Sequence, residues 1–328
     1  MKNFLLSRPW GLAVMASLTI ALLVALGPRP RFEERWSEPD LPETDLDAWL
    51  AAEEARVTGV RAGDEKEIVW ADPDTRGRTP FAIVYLHGFS ADRHEIEPVV
   101  SELASAIGAN AYFTRLAGHG RDSDAMAEAS VEAWLDDTAE AVAIGRRIGE
   151  RVLLVGTSTG GTLATWAAAR PEAAPSLAGL VLISPNFQPK DRNSRALLYP
   201  WGGVLARVVV GPERCFTPEN DAQERHWTTC YPTAALPPMM ALVERVRTMD
   251  LSGIETPTLA FYDADDIVVD AAETDRVLDG MTGTEPVRVR VPSTSDPARH
   301  VLAGNIVSPD SNEEVLAMML AFAQRIDP

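Results

Sequence analysis

Short apolar runs recur along most of the chain, at 81–86, 111–114, 151–155, 179–183, 257–262 and 287–291, after an early one at Ile68-Val69-Trp70. Between them lie stretches of helical character near 95–107, 130–149, 160–170, 271–280 and 311–326. Near-continuous apolar strands alternating with helices predict a mostly parallel sheet covered on both faces. Ahead of this pattern, Asp45 to Arg56 predicts a short amphipathic helix with Leu46, Trp49, Leu50 and Val57 on one face, packed on the body. No internal repeat or low-complexity tract interrupts the alternation.

One region does. Residues 186–253 separate two strands by a segment that holds Leu197-Leu198-Tyr199-Pro200-Trp201, Val208-Val209-Val210 and Pro237-Pro238-Met239-Met240. An insertion at this point lies over the C-terminal ends of the strands, where such sheets bind ligands. Its aromatic and methionine content suits an apolar acyl group, although Met239 and Met240 equally suit the packing of the insertion itself.

The N-terminus carries a different pattern. Lys2 and Arg8 precede residues 9–28, which hold no charged side chain, and Trp10 to Gly27 is apolar on every face. At about 1.5 Å per helical residue this run approaches a bilayer core of about 30 Å. The expectation is an exported protein held by an uncleaved signal anchor and facing an extracytoplasmic compartment. The alternative is a signal peptide cut after Ala25-x-Gly27, which would leave Pro28 at an unfavourable first mature position. Arg29 to Thr44 reads as a Pro- and charge-rich linker, and residues 45–328 as the folded domain with the cap at 186–253.

The chemistry is concentrated in Gly156-Thr157-Ser158-Thr159-Gly160, which follows the apolar run Leu153-Leu154-Val155 and leads into a small-residue helix. Strand, Gly-x-Ser-x-Gly and helix together describe a nucleophile elbow, with Ser158 at the tip of a strained turn. Gly156 and Gly160 stand where a side chain would strike the neighbouring strand and helix. A serine needs a histidine base and an acid that orients it, in the chain order serine, acid, histidine for this kind of elbow. Only His226 and His300 follow Ser158. His226 precedes any suitable acid-bearing strand and reads as a surface or packing residue, which leaves His300. The acid belongs after the strand 257–262, where Asp265 and Asp266 both fit. The count from the strand end, with Asp270 as the cap of the next helix, favours Asp266. Upstream, the strand 81–86 ends in His87-Gly88-Phe89-Ser90, a turn that aims the Phe89 N–H at an oxyanion beside the Thr159 N–H. His87 and His119 read as structural.

These motifs, with Gly118-His119-Gly120, resemble the carboxylesterase, monoacylglycerol lipase and lysophospholipase branch of the α/β-hydrolase superfamily over roughly Ile68 to Ile326. The resemblance implies an α/β-hydrolase fold with a cap insertion after the sixth strand. It also implies Ser158 as nucleophile, His300 as base, Asp266 as orienter, and Phe89 and Thr159 as oxyanion donors. Leu116-Ala117 departs from the polar pair that many members place there, which blurs the subfamily. The implied activity is hydrolysis of carboxylic esters of acyl-glycerol or other lipid-like alcohols, through an acyl-enzyme that needs no metal or cofactor. A peptidase, thioesterase or acyltransferase on the same fold is the alternative, as is a silent binding protein tethered to an envelope.

Charge and cysteine narrow this further. With 30 Lys+Arg against 48 Asp+Glu the net charge is −18, and no basic cluster offsets it, which argues against nucleic acid as a partner. The two cysteines, Cys215 and Cys230, have neither redox-motif nor zinc-site spacing. A disulfide between them would stabilise by about 3 kcal/mol in the chain-entropy model and would suit an exported domain; two free buried thiols remain open.

Overall fold

The longest strand in the body of the protein, Gly149–Thr157, is buried from Val152 onward and forms the centre of a seven-stranded sheet in the computed structural model. The structure describes residues 8–291 and 294–326. Its strands are β1 (Glu67–Val69), β2 (Thr79–Leu86), β3 (Asn110–Phe113), β4 (Gly149–Thr157), β5 (Leu177–Ile183), β6 (Glu213–Cys215), β7 (Cys230–Pro232), β8 (Thr258–Tyr262) and β9 (Val287–Arg290). The main sheet runs β1-β3-β2-β4-β5-β8-β9 and is parallel except for β1, which pairs antiparallel with β3. Each apolar run read from the sequence is one of these strands.

The helices are α1 (Arg8–Ala25), α2 (Leu46–Glu54), α3 (Val99–Ile107), α4 (Val131–Ile148), α5 (Thr159–Ala168), α6 (Gly202–Val209), α7 (Asp221–His226), α8 (Leu236–Thr248), α9 (Ala271–Gly280) and α10 (Asn312–Ile326). Two apolar layers result. Alternate strand residues such as Val84, Leu154 and Leu182 pack with α4, α5 and α8, while Ile83, Val155 and Val181 pack with α3 and α10. α5 is buried along its whole length, so its small residues Gly160, Gly161 and Ala164 set how closely the helix can approach β4.

One sequence expectation, the count of strands before the insertion, needs correction. Among the described residues the insertion follows β5, the fifth strand in chain order rather than a sixth, and β1 is the edge of the sheet. Within 186–253, α8 buries Met240, Leu242, Val243 and Val246 in the same apolar layer as α5. The same segment holds α6, α7 and the hairpin β6–β7, whose facing residues Cys215 and Cys230 form a disulfide.

At the N-terminus, α1 spans Arg8–Ala25 of the described residues. Among the described residues no helix is long and apolar enough to cross a membrane, so a spanning anchor over Trp10–Gly27 finds no support here. Residues 29–44, expected as a linker, run against the body. Phe32, Glu34 and Trp36 alternate inward along an extended strap. The Trp36 ring stacks on Trp166 of α5 at 5.4 Å, and Glu34 accepts from Trp166, Arg170 and Arg245 at 2.9, 2.5 and 2.5 Å. Burial raises the Glu34 pKa, but these bonds and charges outweigh it and lower it overall.

Candidate active site

β4 ends at Thr157, α5 begins at Thr159, and Ser158 between them takes φ 51° and ψ −115°. Positive φ is costly for a residue with a Cβ and persists only where its surroundings hold it. Here the Ser158 N–H donates to the Ile183 carbonyl at 2.8 Å, and the Ser158 carbonyl accepts from Asn186 N at 2.9 Å and Thr162 N at 3.1 Å. The flanking glycines are obligatory. A Cβ on Gly160 would lie 1.9 Å from the Leu86 carbonyl oxygen, and one on Gly156 would lie 2.4 Å from the Gly160 oxygen. Thr159, as the first residue of α5, has an N–H with no acceptor inside the helix.

His300 is brought to the same place by a different route. Its carbonyl accepts from Ser184 Oγ at 2.7 Å, and Ser184 follows the Ile183 that holds Ser158. Both residues are therefore fastened to the C-terminal end of β5. His300 Nδ1 lies 2.8 Å from Asp266 Oδ2, while Asp266 Oδ1 accepts from Val268 N and Val269 N at 2.7 and 2.9 Å. Asp266 is 1% exposed, whereas Asp265 faces solvent. The structure pairs His300 with Asp266 and leaves Asp265 outside. Burial acts to lower the His300 pKa, but the Asp266 charge and hydrogen bond, with Asp296 and Glu95 beyond, outweigh it and raise it.

The His87-Gly88-Phe89 turn lies against the elbow, since a Cβ on Gly88 would sit 3.3 Å from Ser158 Cβ. Among the described residues the Phe89 N–H has no acceptor. His87 accepts from Leu116 N at its Nε2, 3.0 Å away, and its Nδ1 lies 2.9 Å from the Gly88 carbonyl, which fixes a neutral ring as a brace for the turn. His119, wholly buried with its pKa pushed down to about 3 by desolvation, stacks edge-on against His87 and Phe89. Both fill the structural role expected of them.

Glu95 was not foreseen. It is buried directly behind the turn and accepts from Gly88 N at 2.5 Å and from the Tyr85 hydroxyl at 2.7 Å. Burial pushes its carboxyl up to about 7, more than these bonds pull it down. In the sequence it sits in Asp92-Arg93-His94-Glu95-Ile96-Glu97, where nothing marks it out from solvated neighbours. Its place seven residues after a His-Gly turn was the only available signal.

Ser158 is only 8% exposed. The Tyr231 ring of β7 meets Phe89 edge-on at 5.2 Å, in a small apolar cluster with Met126 and Leu236. Met239 Sδ lies 3.4 Å from Asn186 Nδ2, and the Asn186 backbone is bonded to Ser158. An apolar cluster thus packs against the His-Gly turn beside the serine.

The sequence pattern of the hydrolase family described as "Serine aminopeptidase, S33" matches residues 78–292, from β2 through β9. The chain belongs to this family. The match covers more than half of its length and contains the elbow, the His-Gly turn and Asp266. Its α/β-hydrolase fold is shared with solved structures at low identity. They include one described under metagenome-derived lipolytic enzymes, LipS and LipT, with TM-score 0.66 at 20% identity over 81% of this chain and 99% of that one. Another is a soluble variant of the monoglyceride lipase of Saccharomyces cerevisiae, with TM-score 0.60 at 11% identity over 80% of this chain and 91% of that one. In sequence, the S33 member described here is 26% identical over 223 residues to a thermostable monoacylglycerol lipase of Bacillus sp. (strain H-257), covering 67% of this chain and 84% of that protein.

Proposed function

We propose that the protein hydrolyses carboxylic esters of lipid-like alcohols, monoacylglycerols foremost, through an acyl-enzyme on Ser158. The observation that carries this reading is the convergence on one strand end of a positive-φ serine, the His300–Asp266 pair and a His-Gly turn with a free N–H. In this mechanism Ser158 Oγ attacks the acyl carbonyl as His300 takes its proton. Asp266 holds His300 in the tautomer with the proton on Nδ1 and stabilises the imidazolium. The Phe89 and Thr159 N–H groups, with the N-terminal end of the α5 dipole, receive the developing oxyanion. His300 then protonates the leaving alcohol, and water attacks the acyl-enzyme in the reverse sense to release the acid.

Two things favour an ester over a peptide, despite the family's description. An apolar cluster of Phe89, Met126, Tyr231 and Leu236 packs on the His-Gly turn that lies against Ser158. The nearby Glu95 is buried and committed to Gly88 and Tyr85, and so is unsuited to receiving a free α-ammonium group. The 26% relative is described as a monoacylglycerol lipase, which points the same way. Assay of monoacylglycerols and p-nitrophenyl esters of graded chain length against aminoacyl anilides tests this. Turnover of the esters alone is expected, and preference for the anilides would overturn it. The Cys215–Cys230 bridge and the apolar N-terminal segment support an exported protein; finding both cysteines as free thiols in protein from its native cells would remove that support.

The raised pKa of His300 sets a pH dependence. The base works only when neutral, so kcat/KM is expected to fall as pH drops through a value above the ordinary 6.5 of histidine. Glu95 contributes to that rise through its charge. Glu95→Gln keeps an acceptor for the Gly88 N–H but removes the charge, and is expected to move the acid limb to lower pH. A limb that stays in place would show that Glu95 only braces the turn.

A further inference from the structure

Away from the serine, two histidines and two aspartates from distant parts of the chain converge: Asp64, Asp92, His94 and His226. Asp64 follows α2, Asp92 and His94 stand just after the His-Gly turn, and His226 is the last residue of α7 in the cap. Both carboxylates are buried, at 3% and 1% exposure. The imidazole rings lie nearly face to face with centroids 4.0 Å apart, and both turn their Nδ1 atoms inward. His94 Nδ1 is 2.9 Å from Asp92 Oδ1 and 3.8 Å from Asp64 Oδ1. His226 Nδ1 is 3.0 Å from Asp92 Oδ2 and 3.4 Å from Asp64 Oδ1.

We propose that this cluster binds one zinc-type divalent transition ion, which joins the cap to the loop carrying the His-Gly turn. Ligand atoms about 2.0 Å from a tetrahedral ion stand about 3.3 Å apart; here one donor atom from each of the four residues lies within 4.8 Å of the others, and His226 Nδ1 stands 3.4 Å from Asp64 Oδ1. Two imidazole nitrogens and two carboxylate oxygens match the preference of zinc over calcium or magnesium, which favour oxygen alone. Two buried carboxylate charges balance a divalent cation when both histidines are neutral. Arg61 Nε donates to Asp64 Oδ2 at 2.7 Å, and the His94 N–H donates to Asp92 Oδ1 at 2.8 Å. These outer bonds orient the carboxylates, as second partners do in metal sites. The histidine side chains keep 26% and 14% exposure, which gives an ion a way in from solvent.

The position assigns the ion a structural role. Ser90, which ends the His-Gly turn, accepts from Thr228 N at 2.7 Å, so cap and turn already touch beside the cluster. An ion shared by His226, His94, Asp92 and Asp64 would hold three separate segments in that register. It takes no part in the ester chemistry, and the site is independent of the substrate proposed above.

Equilibrium dialysis of the chelator-treated full chain against Zn2+, with metal analysis, is the direct test. One zinc per chain is expected, along with a rise in melting temperature of roughly 5 °C at saturating zinc. Calcium and magnesium are expected to leave both quantities unchanged. His226→Ala should weaken binding by at least about 100-fold, whereas His300→Ala should keep it. Cobalt(II) added to the unmutated protein should give the intense visible bands of a tetrahedral site, a readout that does not depend on any variant folding. Absence of stoichiometric zinc and of those bands in the unmutated protein would overturn the proposal. Zinc retained by a folded His94→Ala/His226→Ala double variant would also overturn it.

Discussion

Ser158→Ala is expected to lower kcat for a cleaved ester by about a million-fold, to the level left by binding and oxyanion stabilisation alone. Alanine takes the same backbone conformation at the same cost, and the bonds that hold residue 158 to Ile183, Thr162 and Asn186 are made by its backbone. The variant should therefore fold and melt like the parent, so that the loss reads chemistry rather than stability. His300→Ala should lose nearly as much, and the double variant scarcely more, because the groups act as a unit. A Ser158→Ala protein that still turns over an ester at more than a few per cent of the parental rate would exclude the acyl-enzyme route.

Asp266→Asn should cost about ten-thousand-fold in kcat. The asparagine carbonyl can keep the bonds from Val268 N and Val269 N, which turns its amide N–H toward His300 Nδ1. The ring must then accept at Nδ1 and carry its proton on Nε2, the tautomer that cannot receive a proton from Ser158. Asp265→Asn changes only an exposed side chain and should leave kcat within about threefold, as surface substitutions usually leave stability. Comparable losses in the two variants would mean that the acid has been assigned to the wrong carboxylate.

Much of this site could be read before any coordinates, because its signals are local. Gly156 and Gly160 are spaced by the turn itself, and β4 and β5 are so evenly apolar that their burial leaves no alternative. The choice between Asp265 and Asp266 rested on counting from the end of β8, and the buried position of Asp266 supplies the physical reason. What escaped depends on how folded segments meet rather than on a local motif. Glu95 gains meaning only from Gly88 and Tyr85, and His226 only from Asp64 and Asp92, which lie more than a hundred residues before it. α8 begins with two prolines and carries charged residues toward its end, so its apolar face could not be told from the rest of the insertion. The strap exposes every second residue over 29–37, and its charges hid two aromatic anchors, Phe32 and Trp36.

That strap has a consequence for how the enzyme meets its surroundings. Trp36 stacks on Trp166 of α5 and Glu34 joins Trp166 to Arg245 of α8, so the chain is fastened where it leaves the body. Pro28 accepts from Trp201 N, the Leu23 carbonyl accepts from Trp201 Nε1 at 2.9 Å, and Gly27 is packed so tightly on the Trp201 ring that a Cβ would collide. The apolar helix α1 therefore issues from beside the cap as a handle rather than as a leash. Whatever surface takes hold of α1 also sets which way the mouth of the active site faces.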